Sequence, residues 1–383
     1  MIDETLLDDS ERLLRADTRG LLRGVATAGA QVRTAARAAT EAGIDGLRPE
    51  GRPGTILIAG TGPEVPLAAD LLTALPGSSR PEAAGGSAPL TVLPATGPLA
   101  APGALRWTLP RWAGPMDLLL VTSAEGTEAG LPLLVDAAYR RGCSIVSVTP
   151  AGSPLAEATT HRRNLTVPLT RPAHLEPAGH LPPAFGPYWS LLTPLLLLGD
   201  RLGLYEGAGQ SEVAALADRL DRHAERCGPT APTAGNPGKT LAAECSAALP
   251  LLWSEGPLAG AVARHCAATF TALAGTPALA AALPGALTAH GALLTRTTRT
   301  SDDDFFRDRV DEPEAPRPRV LLLREDAAAV PADSAVTAAR DLAHEHGIAL
   351  GEIAPAEDAE GPLAALADLL APLDFAAVYL TLA

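Results

Sequence analysis

Aromatic residues are scarce: the 383-residue chain holds four Trp, four Tyr and five Phe. A core with so few rings has to be built from many small aliphatic contacts. Ala and Leu supply most of the 47% hydrophobic fraction, which suits helices packed on sheets and excludes wholesale disorder. Positive charge is scarce too. Thirty Lys and Arg stand against 44 Asp and Glu, a formal net charge of −14, so no basic field exists to neutralise phosphates and nucleic acid is excluded as a partner. Cysteine is confined to positions 143, 227, 245 and 266. With no CxxC pair and no ligand-like spacing to the histidines, these read as reduced, buried thiols, and no metal site is expected. No apolar run is expected to span a membrane. Leu191 to Leu198 is broken by Thr193 and Pro194 and falls far short of a membrane span. The acidic start MIDETLLDDSERLL has none of the features of a signal peptide. A cytoplasmic protein with no membrane partner is the expectation.

What the chain does contain is clearest from Asp117 to Thr149. Asp117 to Val121 is an apolar run. Gly130 to Arg141 carries Leu131, Leu134, Val135 and Ala138 at helical spacing, Gly142 stops the helix, and Ser144 to Val148 is rich in β-branched residues. Two strands joined by a helix make a right-handed parallel crossover. Its loop, Thr122 to Glu128, opens at the carboxyl end of a strand, where an open α/β sheet binds its ligand.

The length predicts two domains, placed at residues 1–227 and 236–383 and separated by CGPTAPTAGNPG. In the first, residues 3 to 43 read as one or two helices. Strands follow at Thr55 to Ala59, Leu90 to Leu93 and Leu165 to Leu169, which with the central pair make a sheet of about five. Helices are expected at Leu67 to Leu75, Tyr188 to Leu204 and Glu212 to Arg226. Residues 76–89, 94–116 and 170–187 have loop composition. In the second domain helices are expected at Lys239 to Ala248, Pro257 to Ala274, Ala335 to His346 and, with breaks, Pro362 to Leu382. Strands are expected at Pro250 to Trp253, Arg319 to Leu323 and Ile348 to Ile353, and a charged loop over 296–318.

Three turns invite a phosphate reading. Gly60-Thr61-Gly62 lies between a strand and a helix, but Val65 stands where a dinucleotide fingerprint needs its third glycine. Asn236 to Thr240, NPGKT, ends like a Walker A loop, yet no strand precedes it and Thr233 holds the place of the leading glycine. The loop Thr122 to Glu128 offers hydroxyls and amides before a helix, which can hold an anion or simply cap the helix. His290, after a proline in LTAHGALL, is at a plausible cleft position, though a satisfied histidine at an element boundary is the more common case.

Taken together, VTSAEGTE at 121–128, the following RGCSIVSVTPAGSPLAE, AQVR at 30–33, NPGKTLA at 236–242 and the closing LDFAAVYLTLA resemble the sugar isomerase (SIS) proteins. The nearest group is the bifunctional phosphoglucose/phosphomannose isomerases. The resemblance implies two tandem SIS-type αβα sandwich domains with parallel sheets, a homodimer, a sugar or sugar-phosphate ligand, and interconversion of aldose and ketose 6-phosphates without a cofactor. It carries ligand-binding positions onto Thr61, Glu64, Thr122, Ser123, Thr127, Asn236 and Lys239, and a catalytic position onto His290.

The departures from the family pattern are chemical. Glu64 stands where the family has a phosphate-holding serine, Glu125 lies within the second phosphate loop, Pro183 takes the place of an arginine, and the lysine-bearing tail is missing. The expected reading is therefore an isomerase-like, carbohydrate-derivative-binding protein with a degenerate catalytic set. The alternative is an active glucose-6-phosphate/mannose-6-phosphate isomerase.

Overall fold

The computed structural model describes residues 4–47, 51–75, 88–98, 101–161, 164–170, 188–295, 316–326, 330 and 334–382. The chain divides into two compact units. One is Thr27–Asp221, and the other combines Met1–Ala26 with Arg222–Ala383.

The N-terminal stretch forms short helices α1 (Glu4–Asp8), α2 (Ser10–Ala16) and α3 (Leu21–Ala26), then α4 (Ala28–Glu41). The unit built from residues 27–221 continues with β1 (Ile56–Ala59), α5 (Glu64–Ala74), β2 (Leu90–Val92), β3 (Leu118–Thr122), α6 (Gly130–Arg140), β4 (Ser144–Thr149), α7 (Pro154–Thr160), β5 (Leu165–Pro168), α8 (Tyr188–Arg201) and most of α9 (Gln210–Cys227). The sheet order is β2-β1-β3-β4-β5, all parallel. The expected five strands are all present.

Every residue of β1 and β3 is buried, as a parallel sheet covered on both faces requires. Alternation decides which layer each side chain joins. Leu57, Ala59, Leu119, Val121 and Ile145 share one cluster with Leu131, Leu134, Val135 and Ala138 of α6 and Leu155 of α7. On α6, each buried Leu or Val contributes roughly 1.5–3 kcal/mol. Helix α8 packs against both α4 and α5 as a second helical group. Strand order reverses between β1 and β3, so the crevice at their carboxyl ends is the switch point of this sheet.

The second unit holds α10 (Pro237–Cys245), β6 (Ala248–Glu255), α11 (Pro257–Ala274), β7 (Leu279–Ala282), α12 (Gly285–Ala289), β8 (Arg317–Arg324), α13 (Ala335–Glu345), β9 (Leu350–Ile353) and α14 (Pro362–Leu382). Its order is β7-β6-β8-β9, again all parallel. Strand β7 has no counterpart in the sequence expectation. Its four residues, LAAA, contain no β-branched side chain, and it lies at the sheet edge. The expected loop over 296–318 falls almost wholly outside the described residues, as do 76–87 and 171–187.

Helix α14 is one continuous helix with Pro372 inside it, where breaks were expected. It packs against α10 and α11 and is buried along most of its length, so tertiary burial outweighs the loss of one backbone donor at the proline. Its two charged residues, Asp368 and Asp374, are buried and each faces a histidine. His223 Nε2 lies 2.7 Å from Asp368 Oδ1, and His265 Nε2 lies 3.6 Å from Asp374 Oδ1. All four cysteines are free and buried. Burial pushes their thiols up, Cys245 to about 12.

Candidate functional site

In the first unit, the turn after β1 and the loop after β3 meet at the switch point. Gly60 has to be a glycine because a Cβ there would sit 2.6 Å from both the carbonyl and the hydroxyl oxygen of Thr122. Pro63 leads directly into α5, whose first residue is Glu64. The helix N-terminus favours an acid there, and the Glu64 side chain folds back over Gly62, where a Cβ would overlap its carboxylate. Glu64 is buried, and its Oε1 accepts the Thr122 hydroxyl at 3.0 Å. Burial pushes its carboxyl above the ordinary range. Its own backbone amide and the Thr122 hydroxyl pull it partly back, and the nearby charge of Glu128 raises it again.

The loop after β3 is organised by Ser123, which is fully buried. Its Oγ accepts the amides of Glu125 at 3.2 Å and Gly126 at 2.6 Å, and its hydroxyl donates to Glu128 Oε2 at 2.7 Å. Gly126 takes a positive φ of 68°. A Cβ there would overlap the hydroxyls of Thr149 and Ser153. Those two lie 3.2 Å apart, and Ser153 caps α7, with Pro154 at its first position. The second oxygen of Glu128 accepts the Thr61 hydroxyl at 3.4 Å.

Thr61, Glu64, Thr122 and Ser123 are thus brought together. Thr127 shares the loop but is exposed. The carboxylate expected to intrude at Glu125 stands on the exposed side of the loop, and buried Glu128 takes that place. Sequence reasoning passed over Glu128. The available signal was an acid two residues before a helix, on a loop whose serine five residues earlier could donate to it. The two loops are therefore tied together by their own carboxylates. Three hydroxyls, those of Thr61, Thr122 and Ser123, are given to two of the chain's own carboxylates, Glu64 and Glu128.

The remaining candidates lie in the second unit. Asn236 caps α10: its Oδ1 accepts the Lys239 amide at 3.0 Å, and its Nδ2 donates to the Gly228 carbonyl at 3.0 Å. Lys239 is fully buried. Its Nζ donates to the carbonyls of Pro229 at 2.8 Å and Ala231 at 2.7 Å and lies 5.7 Å from the centre of the Tyr379 ring. Burial lowers its pKa, and the charge of Asp8 offsets this in part. Asn236 and Lys239 of the NPGKT motif thus hold the preceding loop against the start of α10. His290 follows α12 and is buried, with Nδ1 accepting the Trp253 indole at 2.9 Å. Burial pushes the imidazole below its ordinary value. Among the described residues no group of three or more His, Cys, Asp or Glu could hold a metal ion.

Residues 234–383 match the family described as the bacterial phospho-glucose isomerase C-terminal SIS domain. That stretch contains the whole second sheet. No curated protein matches the chain. Among solved structures, a hypothetical protein from Thermus thermophilus is similar over 98% of this chain and 89% of its own, with a TM-score of 0.60 and 16% identity. A candidate phosphosugar isomerase from Silicibacter pomeroyi is similar over 94% of this chain and 95% of its own, at TM-score 0.53 and 16% identity. The C-terminal domain of glucosamine-fructose-6-phosphate aminotransferase from Francisella tularensis is similar over 95% and 96%, at TM-score 0.51 and 11% identity. At such identities these likenesses carry the fold: two tandem SIS-type αβα domains, each on a parallel sheet.

Proposed function

We propose that this is a phosphosugar-isomerase-like SIS protein that binds a carbohydrate derivative at the switch point of its first sheet and does not interconvert aldose and ketose phosphates. The observation that carries the reading is the state of the candidate reacting groups. Aldose and ketose interconversion needs a base that titrates near neutrality and a cation for the enediolate. The His290 imidazole is buried with Nδ1 engaged by Trp253, and the Lys239 ammonium is spent on two loop carbonyls. Meanwhile the loops after β1 and β3 keep a crevice of hydroxyls and carboxylates able to meet sugar hydroxyls.

The test is a coupled assay with fructose 6-phosphate, followed in the direction of glucose 6-phosphate and of mannose 6-phosphate. No turnover is expected. A rate above about 1 per second, the low end of ordinary enzymes, overturns the proposal. The competing reading, an active glucose-6-phosphate/mannose-6-phosphate isomerase, is favoured by the description of the family that residues 234–383 match, and the same assay decides between them. A cytoplasmic homodimer belongs to the proposal as well. Sedimentation at micromolar concentration should show twice the 39.1 kDa chain mass, and a single monomeric species sinks that part alone.

A further inference from the structure

Glu128 is nine-tenths buried and receives hydrogen bonds from two loops that are far apart in sequence. Ser123 donates to Oε2 from the loop after β3, and Thr61 donates to Oε1 from the turn after β1. The direction of the Ser123 donation is fixed. A hydroxyl has one hydrogen and two lone pairs, and the amides of Glu125 and Gly126 both donate to this oxygen. The hydrogen of Ser123 is left to point at an acceptor, and the acceptor in place is the carboxylate of Glu128. Thr122 gives its own hydroxyl to Glu64 beside it. Two donors held by separate loops thus converge on the Glu128 carboxylate, and that group belongs to the chain.

We infer that Glu128 acts as an internal anion in the first-sheet crevice and sets its ligand class, turning away phosphate and other anionic groups and admitting hydroxylated ligands that are neutral or cationic. This deepens the functional reading above and rests on it for the location of the ligand. An external anion would compete for the same donors from Ser123 and Thr61 and would approach two carboxylates, whereas a hydroxyl or ammonium donor adds a bond to acceptors already in position. Shortening residue 128 leaves the Ser123 hydroxyl still directed by its two amides, so the variant keeps an oriented donor and loses the group that consumed it.

The experiment is calorimetric titration of the full chain and of Glu128→Ser and Glu128→Gln, at low salt, with inorganic phosphate, glucose 6-phosphate and glucose as probes. The parent should bind phosphate and glucose 6-phosphate at least tenfold more weakly than Glu128→Ser, with the gain shrinking as salt rises, and glucose should show no such gain. Glu128→Gln keeps the length of the side chain and removes its charge, so its gain for phosphate should be smaller but still at least threefold. If Glu128→Ser does not fold, that threefold criterion decides alone. Equal phosphate affinities in the parent and the folded variants, or phosphate binding by the parent as tight as by Glu128→Ser, overturn the inference. Either result leaves the functional proposal standing, because that proposal falls on turnover of fructose 6-phosphate by the parent.

Discussion

The indole Nε1 of Trp253 donates to Nδ1 of His290 at 2.9 Å, with both side chains buried. The bond fixes the tautomer: Nδ1 is an acceptor, so the neutral ring carries its hydrogen on Nε2. Burial lowers the folded pKa below the ordinary 6.5. A depressed pKa contributes stability that is present above the unfolded value and lost as pH falls through the folded one. Parent stability should therefore drop more between pH 8 and pH 5 than that of His290→Gln, measured by urea unfolding. At pH 8, His290→Ala should cost about 2 kcal/mol, because it leaves the Trp253 N–H buried without an acceptor. Equal pH slopes for the parent and the Gln variant would count against the burial account.

Glu64 has the opposite sign. Its carboxyl is raised by burial, so its contribution is complete below the unfolded value near 4.5 and is lost as pH rises through the folded value. Glu64→Gln mimics the protonated acid. It should match the parent near pH 4 and be more stable than the parent at pH 8. A variant less stable than the parent at pH 8 would show that the ionised form is the one the fold prefers.

Lys239 is predicted to be a brace. Lys239→Met should cost about 3 kcal/mol, since two carbonyls lose a charged donor, and Asn236→Ala about 1 kcal/mol, since α10 loses its cap. Neither should change the affinity for a sugar ligand measured by calorimetry on folded protein. A loss of binding without loss of stability would return Asn236 and Lys239 to the ligand-binding role that the family resemblance implies.

The pair His223 and Asp368 should behave as a unit. In a double-mutant cycle with His223→Leu and Asp368→Asn, the coupling in unfolding free energy should be at least about 1 kcal/mol, because the groups are buried at hydrogen-bond distance. Additive costs would show that each is held by other partners.

Periodicity made the scaffold legible. The bounds of α11, Pro257–Ala274, match the sequence expectation, and β3, α6 and β4 lie within a residue of theirs, because apolar spacing reports burial directly. β7 was invisible because Ala at an edge carries little β signal. At the site, the chemistry of the loops was readable while the direction of their side chains was not. Glu125 and Glu128 are the same residue type three positions apart, and only the positive φ of Gly126 and the turn around Ser123 decide that the second points inward. His290 and Lys239 illustrate the converse. The family resemblance implies a catalytic His290 and a ligand-binding Lys239, and the direction of each side chain, toward the Trp253 indole and toward two loop carbonyls, is a matter of tertiary packing that residue type does not report.

The two aspartates of α14 also bear on where that helix could go before the chain has folded. By length and composition Pro362–Leu382 could cross a membrane, and 89% of that apolar window is instead buried in the protein. Asp368 and Asp374 lie near its middle, where each would cost about 2.5–3.5 kcal/mol in a bilayer, roughly 5–7 kcal/mol together. Against the rest of its unit each meets a histidine. The same two residues are therefore tolerated by the folded unit and penalised by lipid, so among the described residues the one helix long and apolar enough to cross a membrane is better served by its contacts with α9 and α11 than by a bilayer.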